Sequence, residues 1–369
     1  MWFTKSKLNY AIIFAVFLIT SCEEIIEFDT ENDGGDLVVF GRFTNQLENN
    51  VVSVGITAPF DGPVIPIRFA EVVVKDENGN REIYAETSEE GVYKPRSLTL
   101  PITPGEKYFL EVCTPNGRMY RSELQTMPSD SGQDSTYFDL EEESFITSRG
   151  QEINQLMVKI LLDSDIDRST IQQPFYRWDV EEVYSFQEAQ LPLSKFPFWT
   201  WKTCYITNPV DAQRFFLFDG TRLNNDNIRG LEIASRPADG TFLTRHYFNV
   251  FRYSLNFESF DYWRKVSQLT ERVGSVFDNP PARLPSNILN VENSDEVVFG
   301  FFEVSAVSTS RVLVSRNDIP FLIEAPCEIP PEVNTIPVGC FNCLRGLIEE
   351  ECLNCLILKN SSTVRPDYF

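Results

Sequence analysis

Short apolar segments separated by turn residues fill positions 37–128 and restrict this part of the chain to a β-fold. Each segment is rich in β-branched and aromatic residues and is bounded by Asn, Gly or Pro, as in LVVFGRFTN, VVSVGIT, AEVVVKDENGN and KYFLEVCTPNG. Asn78-Gly79 and Asn116-Gly117 each separate two such segments, and this dipeptide favours a hairpin turn. About seven strands at roughly ten-residue spacing predict an immunoglobulin-like β-sandwich ending near residue 128. The Cys…Trp…Cys spacing of a true immunoglobulin domain is missing.

The rest of the chain predicts a second β-rich domain. A polar, acidic stretch at 129–150 indicates an interdomain linker or a long surface loop. Residues 151–325 supply further strand candidates, including FYRWDVEEVYS and HYFNVFRYSL, which alternate aromatic with polar residues. One amphipathic helix is predicted at about 259–273, with Ser259 as N-cap and Gly274 as C-cap. The predicted fold class is therefore mainly β, a sandwich followed by a β-rich domain with one helix.

Residues 1–21 predict an exported protein. Lys5 and Lys7 precede an apolar run that is too short to span a bilayer. The run ends in Ile-Thr-Ser before Cys22, and this pattern resembles the bacterial lipobox, where the signal is cut before a cysteine that is then acylated. We expect lipid anchoring through Cys22; the alternative is an ordinary signal peptide that happens to contain a cysteine.

The segment after the cysteine predicts a tether and a location. Residues 22–36 are acidic, end in glycine and have little to pack, so they indicate a flexible connection to the first strand. Glu23 and Glu24 resemble the acidic surface-export signals of some Gram-negative lipoproteins. We therefore expect an outer-membrane location, lipid-anchored and facing the cell surface, with a solvated tether as the simpler interpretation of the two acids.

The formal charge of −22 limits the classes of partner. Cleavage before Cys22 removes two lysines and no acid, so the mature chain is still more negative. Such a chain repels phosphate backbones and anionic lipid headgroups, which disfavours nucleic-acid binding and a basic membrane-surface role.

The cysteines outside the signal segment predict a disulfide framework. The tail, 326–369, has two C-x-x-C pairs, which fit either disulfides or a four-thiolate zinc site, but an exported chain meets an oxidising environment that favours disulfides. Buried apolar cysteines are the third interpretation. Cys204 lies inside a predicted strand and is the expected anchor for the tail. The disulfide candidates are Cys204, Cys327, Cys340, Cys343, Cys352 and Cys355, and with Cys113 the odd number prevents complete pairing.

Candidate catalytic and metal-binding residues are few, and we expect no enzyme activity, no cofactor and no metal. His246 is the only histidine and is expected to be structural, which removes most histidine-based triads. Acids at 163, 165 and 167 alternate as in a calcium loop, but Pro174 stands where the twelfth-position acid belongs, so a solvated turn is favoured. Carboxylate pairs such as Glu181 and Glu182 could serve a glycosidase in principle, but among 54 acids no pair stands out.

The densest aromatic cluster, KFPFWTWKTCY at 195–205, is the candidate binding site. Its members Trp199, Trp201 and Tyr205 are expected either to pack in a core or to form an exposed platform for a sugar or a protein partner. Solvent exposure distinguishes the two.

Several segments together resemble the family of Gram-negative outer-membrane lipoproteins called domain of unknown function 4249. The matching segments are SCEEIIEFD, LVVFGRFTN, TPGEKYFLEV, FYRWDV, WKTCY, VGSVFDNPPARLPSNI, EVVFGFFEVS and the ending TVRPDYF. The resemblance implies a cell-envelope lipoprotein often encoded beside a TonB-dependent receptor, and it brings no catalytic residues. We expect a non-enzymatic accessory protein that helps such a transporter bind or admit a nutrient, an unknown small ligand. The alternatives are an envelope hydrolase acting on glycan or peptide and a structural, adhesin-like module.

Overall fold

The computed structural model describes residues 35–369, except 60–61, 131, 133, 167–173, 211–215, 224–226, 272–283 and 285. The signal segment, Cys22 and most of the tether lie outside the described residues, as do Gly274 and Asp167.

The described residues form a mainly β protein, which confirms the predicted fold class. The strands are β1 Leu37–Thr44, β2 Val51–Ile56, β3 Ile65–Pro66, β4 Glu71–Asp76, β5 Arg81–Glu86, β6 Val92–Pro95, β7 Lys107–Cys113, β8 Met119–Ser122, β9 Gln125–Thr126, β10 Ser135–Ile146, β11 Glu152–Asp165, β12 Phe175–Gln187, β13 Thr203–Pro209, β14 Phe216–Asp219, β15 Asn227–Pro237, β16 His246–Leu255, β17 Ile288–Asn290, β18 Val298–Val314 and β19 Ser361–Ser362. The α-helices are α1 Phe257–Glu271 and α2 Glu350–Leu353, and short 3-10 turns include Leu47–Asn49, Gly240–Leu243 and Phe341–Leu344.

The first sandwich forms from one folded sheet path, β17-β8-β7-β4-β5-β6-β2-β1-β18. Its inward-facing valines, tyrosines and leucines make one core with residues from strands along the whole path. The side-chain amide of Asn287, just before β17, bonds to the backbone N–H and C=O of Phe302 in β18, at 2.8 and 2.9 Å. The two ends of the path are therefore joined and the core is enclosed.

The hairpins of this sandwich follow from local sequence. At β4–β5, the Asp76 carboxylate accepts from the backbone N–H groups of Asn78 and Asn80, at 2.9 and 2.8 Å. Gly79 adopts φ +89, a left-handed conformation that glycine adopts without steric cost. The predicted turns at Asn78-Gly79 and Asn116-Gly117 both join paired antiparallel strands.

A parallel pairing between β1 and β18 joins distant parts of the chain. Leu37 lies opposite Val298 and Thr44 opposite Ser305. Gly300 has φ +100, and a Cβ there would lie 2.0 Å from the Val39 carbonyl oxygen, so glycine is required at this contact. The first sandwich therefore contains a strand from the region 151–325, and the sheet crosses the boundary expected near residue 128.

The second sandwich places a three-stranded sheet, β10-β11-β15, over the continuing sheet of β18, β16, β12 and β13. Val158, Ile160 and Leu162 of β11 pack against Tyr176, Trp178 and other buried residues of β12 and its neighbours. The linker prediction for 129–150 is wrong over 135–146, because those residues pair with β11 throughout. Glu141 and Glu143 form ion pairs with Lys159 across the strands, at 2.5 and 2.8 Å, which compensates for the acidic face.

Helix α1 packs aromatic side chains against strands β12 and β18 of the large sheet. The ring of Phe260 stacks on that of Phe175 at 4.5 Å, and that of Tyr262 on Phe301 at 4.4 Å. The predicted start at Ser259 is two residues late, because the side chain of Asn256 accepts from the Ser259 N–H at 2.8 Å and caps the helix. Among the described residues, no helix is long and apolar enough to cross a membrane.

Candidate functional site

Three disulfides hold the tail in place. Cys204–Cys355 connects the tail to the second sandwich, and Cys327–Cys352 and Cys340–Cys343 lie within the tail. The disulfide prediction is confirmed, and Cys204 is the anchor that its strand position suggested. All four cysteines of the two C-x-x-C pairs are therefore in disulfides. Cys340 bonds to Cys343 within its own pair, whereas Cys352 and Cys355 bond to cysteines outside theirs, so the four sulfurs do not form a four-thiolate site. Cys113 is the free cysteine of the described residues.

The anchored tail forms a small core of its own beside the second sandwich. Val333, Leu344 and Ile348 of the tail pack with Leu191 and Phe196. Polar bonds fix the same contact: Lys195 donates through Nζ to the Ile336 carbonyl at 3.0 Å, and the Gly339 N–H donates to the Lys195 carbonyl at 2.8 Å. The segment 189–201 is therefore tied to the tail although it has no regular secondary structure.

That segment presents an aromatic face to solvent. Phe198 is 92% exposed, Leu193 68% and Trp201 46%. Trp199 is half-buried; its indole N–H donates to the Ala189 carbonyl at 2.8 Å and its ring lies 6.0 Å from Phe341. A shallow depression of about 460 Å³ lies between Leu193, Trp199 and Trp201. We call Leu193, Phe198, Trp199, Trp201 and Phe341 the aromatic face.

Tyr205 belongs to a different contact from the two tryptophans. Its ring lies 4.9 Å from that of the C-terminal residue, Phe369, in an edge-to-face arrangement. Tyr368 completes this contact, because its hydroxyl accepts from the Asn249 side chain at 3.0 Å. Of the three predicted binding residues, the structure brings Trp199 and Trp201 together and assigns Tyr205 to the packing of the chain end.

Two larger cavities open elsewhere on the second sandwich. A mostly apolar one of about 830 Å³ lies between the end of β12, the 3-10 turn at Gly240–Leu243 and the tail around Cys327. A more polar one of about 670 Å³, here called the central cavity, lies where the neighbour of β12 is interrupted. β13 pairs with β12 from Glu181 onward and β14 pairs with it up to Trp178. Among the described residues, Asp179 and Val180 have no strand partner on that edge, although the Val180 carbonyl accepts from the Val210 N–H at 2.8 Å, and the cavity lies beside them.

Charged side chains behind the central cavity neutralise one another. Arg177 is buried, donates to the Glu303 carboxylate at 2.8 Å and lies 3.3 Å from Asp179. Arg42 also approaches Asp179, at 3.7 Å. Burial alone raises the pKa of Glu303, but Arg177 and Arg42 outweigh it and the net shift is downward. Asp179 therefore has two cationic neighbours.

Two further polar groups line the central cavity. Glu181 makes no ion pair or side-chain hydrogen bond among the described residues; burial and the Asp179 carboxylate raise its pKa, and they outweigh the opposing effect of Arg42. The Ser235 hydroxyl, which also lines the cavity, is buried and has no hydrogen-bond partner within the part of the chain that the structure describes. Polar groups of this kind in a cavity make it a candidate ligand site.

The remaining sequence candidates have structural partners. His246 is fully buried, stacks on Phe242 at 4.0 Å and contacts the Glu182 carboxylate at 3.1 Å. Arg236 also bonds to Glu182, so Glu181 and Glu182 do not act as a pair: they point to opposite faces of β12. The turn expected at Asp163 is wrong, since Asp163 and Asp165 lie in β11 and bond to Gly230 and Arg229 of β15. Within the described ranges, no cluster of three possible metal ligands occurs.

Sequence reasoning missed Asp179, Arg42 and Ser235 as cavity residues. A signal was present: FYRWDVEEV and EVVFGFFEV insert charged residues into otherwise apolar strands, where a charge needs a partner or a cavity. The interruption between β13 and β14 gave no comparable signal.

Fold and site together define the class: a double β-sandwich protein with a disulfide-anchored tail, an exposed aromatic face and a central cavity. The chain belongs to the family described as domain of unknown function (DUF4249), whose model matches residues 23–311. The match ends inside β18, so the tail with five of the cysteines, and the ending TVRPDYF, lie beyond the matched residues. No curated protein and no solved structure matches the chain.

Proposed function

We propose that this protein is a non-enzymatic accessory of a TonB-dependent transporter, lipid-anchored through Cys22 at the outer face of the outer membrane, where it aids the binding or uptake of a nutrient. The lipobox-like segment and the surface-export acids support the location. Three disulfides are consistent with an exported chain.

The aromatic face is the observation that carries the proposal. Large apolar side chains that cluster on a surface mark contact sites, and aromatic residues are enriched in the centres of protein interfaces. Phe198 and Trp201 are held by a segment that the tail fixes, so a partner would not have to order them on binding. An exposed aromatic face that is anchored to the tail fits a partner protein better than it fits catalysis.

The tether keeps this face near the membrane. An extended segment of 14 residues, 23–36, spans at most about 50 Å. A lipid on Cys22 would hold both sandwiches within reach of a barrel embedded in the same membrane, and the local concentration would make a weak interface effective.

Photo-crosslinking in intact cells tests the proposal. A photoreactive amino acid at Phe198 should crosslink to an outer-membrane barrel, whereas the same residue at Ile83, which is 55% exposed on β5, should not. Phe198→Ser with Trp201→Ser should lower both crosslinking and uptake of the receptor's substrate. If the photoreactive residue at Phe198 captures no barrel and the purified protein hydrolyses a glycan or peptide, the accessory role is wrong.

A hydrolase acting on glycan or peptide is the second candidate, favoured by one observation. Among the carboxylates that line the central cavity, Asp179 has cationic neighbours and Glu181 has a raised pKa, and unequal carboxylates are the pattern of acid and base in glycoside hydrolysis. Hydrolysis of an envelope glycan that is abolished by Glu181→Gln would establish this candidate in place of the accessory role.

A further inference from the structure

The mostly apolar cavity beside the tail lies where β12 runs on past the start of β16. Tyr184 is the last residue of β12 that pairs with β16, opposite His246. Beyond that pair the 3-10 turn Gly240–Leu243 follows the edge of β12, and the Ser185 hydroxyl donates to that of Thr244 at 2.8 Å. The tail covers the same end of β12, and a volume of about 830 Å³, here called the tail cavity, lies between sandwich and tail. Its lining residues and their neighbours in the chain all belong to the described part of the chain.

Two separate hydrophobic cores supply the apolar walls of the tail cavity. Leu243 packs against the core of the second sandwich, whereas Phe186 and Ile329 pack against the small core of the tail. All three side chains are half-buried and line the cavity. Because the cavity separates the two cores, part of the apolar surface of each stays accessible, and an apolar ligand would gain free energy by covering it.

The wall formed by the tail is fixed by covalent and hydrogen bonds. Cys327, which lines the cavity, is bonded to Cys352, and the Cys352 carbonyl accepts from the Ala189 N–H at 2.8 Å. The Cys355 N–H donates to the buried Glu188 carboxylate at 3.1 Å. A ligand therefore meets a largely formed site, whose volume is in the range of small-molecule pockets.

The charged groups of the lining disfavour an ionic ligand. They are the carboxylates of Glu188, Asp239 and Glu328, and no Lys, Arg or His is among the described residues that line the tail cavity. Glu188 also accepts from the Lys202 N–H at 2.8 Å, and Asp239 accepts from the Thr241 N–H at 2.9 Å. Glu328 is exposed, and an ion pair there would be worth little. An anion would lack a counter-charge, and a cation would find the inner carboxylates already bonded.

We propose that the tail cavity binds an uncharged, mainly hydrocarbon small molecule, with its body between Leu243 and Ile329. The side-chain amides of Gln187 and Gln190, both exposed lining residues 3.5 Å apart, can hydrogen-bond a hydroxyl or carbonyl end of the ligand. This gives the chemical class of the nutrient in the transport role proposed above and rests on that role for its biological meaning. The binding itself needs no receptor, so a failure here and a failure of receptor crosslinking are distinct results.

Photoaffinity labelling of the full-length protein in mild detergent tests the inference. The three probes are alkyl chains of equal length that carry the same diazirine group and end in a hydroxyl, a carboxylate or a primary ammonium. Peptide mass spectrometry should place the label of the alcohol on the segments 184–190, 239–244 and 325–329. We expect its yield there to be roughly fivefold above that of either charged probe, because a charge inside the cavity would be desolvated without a partner.

Cavity-filling substitutions distinguish this site from general labelling of apolar surface. Leu243→Trp and Ile329→Trp add bulk from opposite walls, and each should lower labelling of the three segments by roughly fivefold, since the volume available to the probe falls. Ile83→Trp, at an exposed position on β5 of the first sandwich, is the matched control and should leave the labelling unchanged.

The comparison of the three probes uses the unaltered protein, so it decides the matter even if a tryptophan variant fails to fold. Equal labelling of the three segments by the alcohol and by either charged probe would overturn the inference. Undiminished labelling in both tryptophan variants, or a label spread evenly over the exposed apolar residues of both sandwiches, would overturn it as well.

Discussion

Arg177 and Glu303 form a buried ion pair of 2.8 Å that joins β12 to β18, with side chains only 2% and 3% exposed. The guanidinium lies between two aromatic rings, 4.5 Å from the centre of Tyr253 and 4.4 Å from that of Trp263 in α1. The Glu303 carboxylate also accepts from Ser305 and from the Trp263 indole. The pair thus connects both sandwiches and the helix at one point.

Removing one member of this pair should be strongly destabilising. Arg177→Met leaves Glu303 buried without its cation, and we expect a loss of about 3 to 5 kcal/mol of unfolding free energy. Arg177→Met with Glu303→Leu should lose less than Arg177→Met alone, since no unpaired charge stays buried. Urea unfolding of the three proteins measures this; losses below about 1 kcal/mol for the single variant would show that the pair is not buried in solution.

Glu181→Gln should stabilise the protein at neutral pH. The folded pKa of Glu181 is raised, so its contribution to stability is fully present below the unfolded pKa and is lost as the pH rises through the folded pKa. At pH 7 the charged side chain is therefore unfavourable, and glutamine should add about 0.5 kcal/mol or more. The gain should disappear near pH 4, which thermal unfolding at several pH values can follow. A loss of stability at pH 7 would mean that Glu181 has a counter-charge.

Removing the individual disulfides should lower the free energy of unfolding by unequal amounts. Cys204–Cys355 closes a sequence separation of 151 residues, so replacing both by serine should cost about 5 kcal/mol in the chain-entropy model. Cys340–Cys343 closes a sequence separation of only 3 residues, and its removal should lower the free energy of unfolding by about 2 kcal/mol. Thiol counting on the denatured, unreduced mature protein should find one thiol, from Cys113. Four or more thiols with stoichiometric zinc would contradict the pairing.

Gly300→Ala tests the contact between β1 and β18. The added Cβ would meet the Val39 backbone at 2.0 Å and φ is +100, so we expect a loss above about 2 kcal/mol. Gly79→Ala is the matched control, since Gly79 also has positive φ but its Cβ would meet nothing within 4 Å, and it should cost about 1 kcal/mol. If the two variants lose the same stability in thermal unfolding, the cost comes from the backbone conformation alone and the contact between β1 and β18 contributes nothing.

Cys22→Ala should release the protein from the outer membrane or leave it unprocessed at Ser21. A high-salt wash screens charge contacts and leaves acyl burial intact, so the unaltered protein should stay with the membrane and the variant should not. Continued fractionation of the washed variant with outer membrane would exclude anchoring through this cysteine.

Local signals explain what the sequence predicts well. The turns at Asn78-Gly79 and Asn116-Gly117 depend on backbone preferences of adjacent residues, and α1 depends on its own periodicity. Pairings over long distances were not predictable in this way. β10 was hidden because the run Glu141–Glu143 resembles a solvated loop until Lys159 is placed opposite it. The central cavity likewise depends on where β13 stops and β14 begins.

The same limit applies to the tail. Cysteine spacing indicated disulfides but not their partners, because the pairing of Cys355 with Cys204 depends on how the tail crosses the end of β13. Exposure of Phe198 and burial of Phe196, two positions apart, follows from that docking and not from residue type.

The parallel contact of β1 with β18 also sets an order of events during biogenesis. Asn45, just after β1, bonds through its side-chain amide to both backbone groups of Val307, 262 residues later. A chain that is synthesised from its N-terminus presents β1 first and β18, the strand that covers its edge, almost last. Until then β1 keeps an unpaired edge, and such edges recruit other chains. The early strands must therefore stay unpaired with other chains until the late one arrives, and chains truncated before residue 298 are expected to aggregate instead of yielding an isolated first sandwich.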